Sequence, residues 1–361
     1  MAASVTKGIS GERPRVSVLG IFLRWEWLLV ALIGLVIVVN SQLSPFFLRV
    51  NNLARASSDF MEIGIMVLPM VFVIITGNID LSVASILGMC ASFMGWLFNQ
   101  GVNIWVAAGA ALLLGTGAGL LNGWLVARLR LPALVVTLGT FAFYRGVAYV
   151  LLGDQAARGY PREFTFLGQG RVMETPIPVT VVIFLVLAVI FGLVLHRTTF
   201  GRYLYSIGNN EEASLYAGVP VARVKMIIFM LSGLLSALAG VLMAARFGST
   251  RPDIGLGLEL TVITVTVLGG INIFGGSGTV IGAVLALLLI GLMRFGMSLI
   301  NIQGQVQSIA VGLLLIGAIL IPNVSRQLGQ IREQLNRPIL IRAAAATLVT
   351  AAFWLYFFWS R

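Results

Sequence analysis

Few residues of this chain are equipped for chemistry, and they stand apart from one another. Three carboxylates, Glu62, Asp80 and Glu259, fall inside or beside long apolar runs, as does one arginine, Arg145, in TFAFYRGVAYV. Cys90 is the sole cysteine and His196 the sole histidine. One thiol forms no internal disulfide, and neither residue has neighbours at metal-ligand spacing, so no metal is expected. His196 closes an apolar run, where a cation near a helix C-terminus is favourable. There is no Gly-x-Ser-x-Gly elbow and no Cys/His pair. Neither Lys7 nor Lys225 stands in the Gly-x-x-x-x-Gly-Lys-Ser/Thr pattern that cradles phosphates, so this chain is expected to bind no nucleotide or other cofactor by that device. Covalent catalysis has no recognisable residue set here.

The surroundings of these charges explain their isolation. Of 361 residues, 58% are hydrophobic and 10% charged, against roughly 25% charged in an ordinary soluble domain. Apolar runs of about 20 residues match the hydrocarbon core of a bilayer. Spans are expected near 25–43, 60–77, 81–98, 103–127, 131–152, 177–195, 226–246, 259–274, 278–298 and 303–322, with an extra one at 339–359. The fold class is therefore all-α, a polytopic helical membrane protein of about ten core helices. Residues 1–24 read as a cytoplasmic tail without a cleaved leader, 25–322 as the membrane domain, and 323–361 as a basic cytoplasmic linker plus the extra helix. Run 259–274 is short enough to be broken or re-entrant. Trp354 to Trp359 reads as an interfacial aromatic belt.

The net charge of +11 follows the loops. Arg128, Arg130, Arg197, Arg202, Arg223 and Lys225 gather on one side with the N-terminal cations, while Arg158, Arg162, Arg171 and Arg251 on the other have acids nearby. That asymmetry places the N-terminus in the cytoplasm and argues against nucleic acid as a partner. Spans two to five and seven to ten form two blocks separated by one span, so they would enter the membrane from opposite sides, as an inverted repeat does.

A charge at the bilayer centre costs several kcal/mol by most estimates, so Asp80 needs a partner or an edge. In GNID, Gly77 can end one helix and Asp80 can cap the next through the amides of Ser82 or Val83, giving a self-satisfied turn on the cytoplasmic side. Alternatively, Asn78, Asp80 and Ser82 line a pathway at an interrupted helix, with Asp80 in the sharpest version a proton relay. For Arg145 the options are pairing with a backbone carbonyl or hydrogen bonding to a passing polar solute. Segment 267–282 carries Gly269, Gly270, Gly275, Gly276, Gly278 and Gly282, for close helix packing, a flexible gate, or both. In loop 196–225, Asn209 or Asn210 can cap a short helix begun by Glu211 and Glu212 and stopped by Gly218 and Pro220. That helix is either a well-capped connector or a docking knob.

Five stretches in order identify a resemblance. GNIDLSVAS (77–85), LNGWLVARLRLPALVVTLGTFAFYRG (121–146), FGRYLYSIGNNEEASLYAGVPVARVK (200–225), LSGLLSALAGVLMAARFGS (231–249) and GLGLELTVITVTVLGGINIFGGSGTVIGA (255–283) resemble the permease subunits of bacterial ATP-binding-cassette importers for monosaccharides, of the ribose, rhamnose and autoinducer-2 type. LGDQAARGYPREFTFLGQG (152–170) and GSTRPDIGLGLEL (248–260) look most like a rhamnose permease, while INIFGGSG (271–278) is shared with autoinducer-2 permeases. The resemblance implies an inner-membrane permease that moves a sugar, best guess L-rhamnose, without covalent chemistry. It implies a second permease subunit (the same chain or a sister), a cytoplasmic ATPase carrying ATP and Mg, and a periplasmic sugar-binding protein, all in contact with membrane lipid. It also implies that Gly201, Arg202, Asn209, Asn210, Glu211, Glu212, Ala213 and Gly218 belong to the loop that meets the ATPase, and that loops 153–176 and 247–258 meet the binding protein. Thr261 departs from the acid many relatives carry, and 339–359 exceeds the usual ten spans. An ion-coupled carrier is the rival of another class, but it would need ionisable groups within its spans.

Overall fold

The computed structural model describes residues 25–173 and 175–331. The expected N-terminal tail and the extra span at 339–359, with its aromatic end, lie outside the described residues. Among those described, thirteen helices run in the order α1 (Trp25–Leu43), α2 (Val50–Ile75), α3 (Val83–Asn99), α4 (Ile104–Ala127), α5 (Ala133–Leu152), α6 (Arg162–Gln169), α7 (Val179–Arg197), α8 (Thr199–Asn209), α9 (Glu211–Tyr216), α10 (Val221–Phe247), α11 (Leu258–Leu268), α12 (Val280–Leu299) and α13 (Gly304–Ile331). Two two-residue strands, β1 (Ala157–Arg158) and β2 (Ser249–Thr250), join loops at one end. Helices dominate because a chain in hydrocarbon must satisfy its backbone internally.

Seven helices, α1, α2, α4, α5, α7, α10 and α12, are long and apolar enough to cross a membrane, and shorter apolar helices occupy the other three expected core positions. α2 begins at Val50, ahead of the apolar run, because the polar turns VNNLARASSD continue the helix. α13 continues to Ile331, so the linker expected from 323 starts within a helix. α11 has 11 residues, about 16 Å at 1.5 Å per residue, roughly half a bilayer core. The short eighth run is thus a half-length helix. Segment 251–257 before it turns into the bundle, where Gly255 packs against Leu87 of α3.

α2 is the innermost helix: 94% of its apolar window is buried, against 11% for α1. α10 packs against α2, α3, α4 and α6. Its antiparallel seam with α4 is made by small residues. Gly115, Gly119 and Gly123 recur every four residues and so share one face of α4. A Cβ at Gly119 would overlap the carbonyl oxygen of Phe229, and one at Gly233 that of Gly115. The missing side chains let the two backbones touch, which supplies dispersion contact where no hydrophobic force acts between helices. The two blocks also share an order: a long helix (α2 or α10), a connector, then a shorter helix (α3 or α11).

At one end of the bundle β1 pairs antiparallel with β2, Ala157 opposite Thr250 and Arg158 opposite Ser249. Tyr160 Oη donates to Thr250 Oγ1 at 2.8 Å and Gln169 Nε2 to the Arg246 carbonyl at 2.8 Å. The other end gathers connector 76–82, α8, α9 and the glycine-rich turn between α11 and α12.

Gly233→Leu and Gly119→Leu are each expected to destabilise the fold by about 1–3 kcal/mol or more. Gly117→Leu, on the face of α4 with open space around it, should melt like the parent. Thermal unfolding in detergent checks the contrast.

Candidate functional site

Asp80 is fully buried in connector 76–82. Its Oδ1 accepts from the Ser82 amide at 2.9 Å and the Ser82 hydroxyl at 2.6 Å, and its Oδ2 accepts from Ser232 Oγ of α10 at 2.8 Å. Asn122 of α4 donates to Ser82 Oγ at 2.8 Å, and Tyr144 of α5 donates to Asn122 Oδ1 at 3.3 Å and to the Ala118 carbonyl at 3.0 Å. A carboxylate in low dielectric persists when hydrogen bonds replace its water shell. The expected amide bond from Ser82 is present, but the N-cap position of α3 is Ser82 itself. The turn is not self-satisfied either: it depends on Ser232, more than 150 residues downstream. Asn122 lies five residues inside the end of α4, about 7 Å along the axis. Asn78 is buried beside Asp80 and turns back on Thr76, donating to its carbonyl at 3.1 Å and its hydroxyl at 2.9 Å.

Arg145 follows Tyr144 on α5 and is 8% exposed. Its guanidinium donates through Nη1 to the carbonyls of Pro252 (2.8 Å) and Ile254 (3.0 Å), and through Nη2 to that of Ala84 in the first turn of α3 (2.9 Å). Of the two options for this residue, backbone pairing is the geometry found. It satisfies carbonyls left open where 251–257 leaves helical form. Gly88 makes room, since a Cβ there would overlap the guanidinium.

The segment from 198 to 218 folds as two helices. Thr198 Oγ1 caps α8 at the Gly201 amide (3.4 Å), and buried Gly201 lies so close to the Leu195 carbonyl that a Cβ would overlap it. Arg202 is exposed. Asn209 ends α8 with its side-chain amide donating to the Tyr205 carbonyl at 2.9 Å. Asn210 is the cap of α9, its Oδ1 accepting from the Ala213 amide at 2.8 Å. Glu211 is engaged by Lys225 at 2.7 Å, while Glu212 and Ala213 are exposed. Gly218, with φ +82°, closes α9 in a conformation that suits glycine. Leu215 and Tyr216 project outward, Tyr216 89% exposed.

The glycine-rich turn packs onto this segment. The Gly276 amide (φ +80°) donates to the Ile75 carbonyl at the end of α2, at 2.9 Å, and Gly208 of α8 touches both Ile75 and Gly276. Gly275 lies against Gly77, Gly208 and Ile75. Gly269 packs on Gly282 and Ala283, and Gly270 beside Trp25, whose Nε1 donates to the Leu268 carbonyl at 2.7 Å. The structure therefore brings Gly275 and Gly276 together with Asn209 and the base of the Asp80 connector, while Gly269 and Gly270 serve helix packing. Ser232, Asn122 and Tyr144 were not anticipated: a hydroxyl or amide in an apolar helix gives no sign in sequence of which distant carboxylate it meets.

At the β-strand end a cavity of about 360 Å³ is lined by Arg55, Asp59, Gln169, Arg171 and Arg246, among others. Arg246 pairs with Asp59 at 2.6 Å and with fully buried Glu62 at 2.7 Å, tying α10 to α2. Among the described residues no group of three His, Cys, Asp or Glu could hold a metal.

Comparison with known proteins covers nearly the whole chain. A family model described as branched-chain amino acid transport system / permease component matches residues 52–321. The autoinducer 2 import system permease protein LsrD of Escherichia coli (strain K12) is 39% identical over 319 residues, covering 87% of this chain and 96% of the relative. The protein of that name from Shigella flexneri matches with the same identity and coverage. No solved structure matches.

A double-mutant cycle of Asp80→Ala and Ser232→Ala, read by unfolding in detergent, is expected to give a coupling of about 1.5–3 kcal/mol, the range for a hydrogen bond to a charged group. A coupling near zero would remove this bond from the account.

Proposed function

Because the chain belongs to the family of branched-chain amino acid transport system permease components, we propose that it imports a monosaccharide-like solute, driven by ATP hydrolysis on a partner chain. It is a multi-pass membrane permease and not an enzyme. The observation that carries the proposed drive is the α8–α9 segment. It presents Glu212, Leu215 and Tyr216 outward, and α8 is seated on Ile75 and Gly276, where the Asp80 connector begins. In this reading a push on the knob reaches the connector between α2 and α3 through the contact of Gly208 with Ile75. A cytoplasmic ATPase holding ATP and Mg docks there in this reading, in the inner membrane with the N-terminus cytoplasmic. A periplasmic binding protein delivers solute at the β-strand end, and a second permease subunit, identical or sister, completes the route.

Autoinducer-2 is the first solute to test, because the relatives that match over most of both chains carry it in their printed names. L-rhamnose is the second, on the resemblance of 152–170 and 248–260. An ion-coupled carrier is disfavoured by the Asp80 environment, where the three hydrogen-bond donors facing the carboxylate are two hydroxyls and an amide.

Vesicles holding this chain with its ATPase and binding protein are expected to accumulate labelled autoinducer-2 or L-rhamnose when ATP is supplied, and to continue when an uncoupler is added. Uptake lost with the uncoupler while ATP remains would overturn the mechanism. Tyr216→Ala with Glu212→Ala should lower uptake by about tenfold or more, as loss of central contact residues does at an interface, with the permease still folded. Glu211→Ala should act mainly through Lys225, an ion pair worth at most about 1 kcal/mol given its half-exposed carboxylate.

A further inference from the structure

The cavity at the β-strand end is assembled from four parts of the chain and carries more positive than negative charge. Arg55 and Asp59 come from the first turns of α2, Arg171 from the turn after α6, Pro178 from the residue before α7, and Arg246 from the last turn of α10. The innermost guanidinium is already neutralised. Arg246 is 17% exposed and is shared between Asp59 at 2.6 Å and fully buried Glu62 at 2.7 Å. The outer two are not. Arg55 and Arg171 are exposed, and among the described residues neither guanidinium forms an ion pair or hydrogen bond. Ser58 also lines the cavity, is buried, and has a hydroxyl with no partner among the described residues. Three guanidiniums against the carboxylates of Asp59 and Glu62 leave one positive charge over in this part of the described structure. Like charges lining one cavity repel, and an anion between them relieves this.

Two observations select the kind of anion. Arg55 and Asp59 precede the apolar run of α2, which begins at Phe60, so the cavity lies beyond the stretch matched to hydrocarbon. The apolar side chains in its lining are those of alanine and proline alone, which leaves no wall for the acyl chains of a lipid. We infer that the cavity receives an acidic side chain of a protein partner that docks at the β-strand end. Its carboxylate pairs with Arg55 and Arg171, with Ser58 Oγ as a further donor. Asp59, 68% exposed, holds the seat on Arg246 that such an acid contests. It therefore opposes docking while Arg55 and Arg171 favour it. In the import reading, on which the inference rests, the partner is the solute-binding protein.

The test uses the permease–ATPase complex in nanodiscs with the binding protein, and reads Kd at low and high salt. Arg55→Glu with Arg171→Glu is expected to weaken binding about tenfold or more at low salt. The difference should shrink as salt screens it, and the variant should melt like the parent because both residues are exposed. Asp59→Asn removes the contesting carboxylate while Glu62 keeps Arg246, and should tighten binding severalfold. Arg49→Glu is the control: it makes the same charge change as Arg55→Glu at an exposed arginine outside the cavity lining, and should weaken binding far less. Parental affinity in the double variant, or equal losses in Arg49→Glu and Arg55→Glu, overturns the cavity as receiver. Weaker binding by a normally melting Asp59→Asn also overturns it. If phosphatidylglycerol stabilises the parent but not a double variant of parental affinity, a lipid phosphate fills the cavity and the docking is overturned. Absence of saturable binding to the parent complex overturns the import reading instead.

Discussion

A backbone that leaves helical form inside a bilayer has no water to satisfy its amides and carbonyls. Among the described residues, the chain leaves helical form against buried helices at 76–82 and at 251–257, and much of the structure is arranged around making those breaks tolerable. The two solutions have opposite sign. At the start of α3 the free groups are donors, the Ser82 amide and the hydroxyls of Ser82 and Ser232, and a carboxylate collects them. At 251–257 the free groups are carbonyls, and a guanidinium collects those of Pro252 and Ile254. Each charge is stabilised by the irregular backbone that it stabilises in return.

Both solutions converge on the first turns of α3. Consecutive helical residues project about 100° apart, so Tyr144 and Arg145 reach two sides of that region from α5. Tyr144 joins the Asp80 network through Asn122, and Arg145 holds the Ala84 carbonyl. The glycine seam between α4 and α10 sets the distance at which Asn122 and Ser232 can share this network. Displacing either connector therefore strains α5, α3 and α10 together, which favours discrete arrangements over gradual ones.

The two ends of the bundle are wired to different breaks. At one end, the Ile75 carbonyl joins α2 to the glycine-rich turn and to α8, at the base of the Asp80 connector. At the other, the β1–β2 pair and the Tyr160–Thr250 bond join the loop after α5 directly to the segment held by Arg145. The two ends of the bundle are thus linked through α3.

Much of this was legible from residue types alone. Apolar run length determined the helices and nearly all their positions, because hydrocarbon thickness leaves little choice. An asparagine cap of α9, at 209 or 210, and an unusually short helix at α11 were legible too, since both are local properties of a few consecutive residues. What only the tertiary structure decided was partnership. Asp80 read as a self-contained cap because Ser82 is its neighbour in sequence, whereas Ser232, more than 150 residues away, completes it. Arg145 left two options open until the re-entrant carbonyls were seen against it. The glycines of 267–282 gave no sign that some face α2 and α8 while others face Trp25 and α12. Run length, charge and capping act over a few residues and are written in order along the chain. Which buried polar group meets which depends on helix rotation and depth, and these are set by packing between segments far apart in that order.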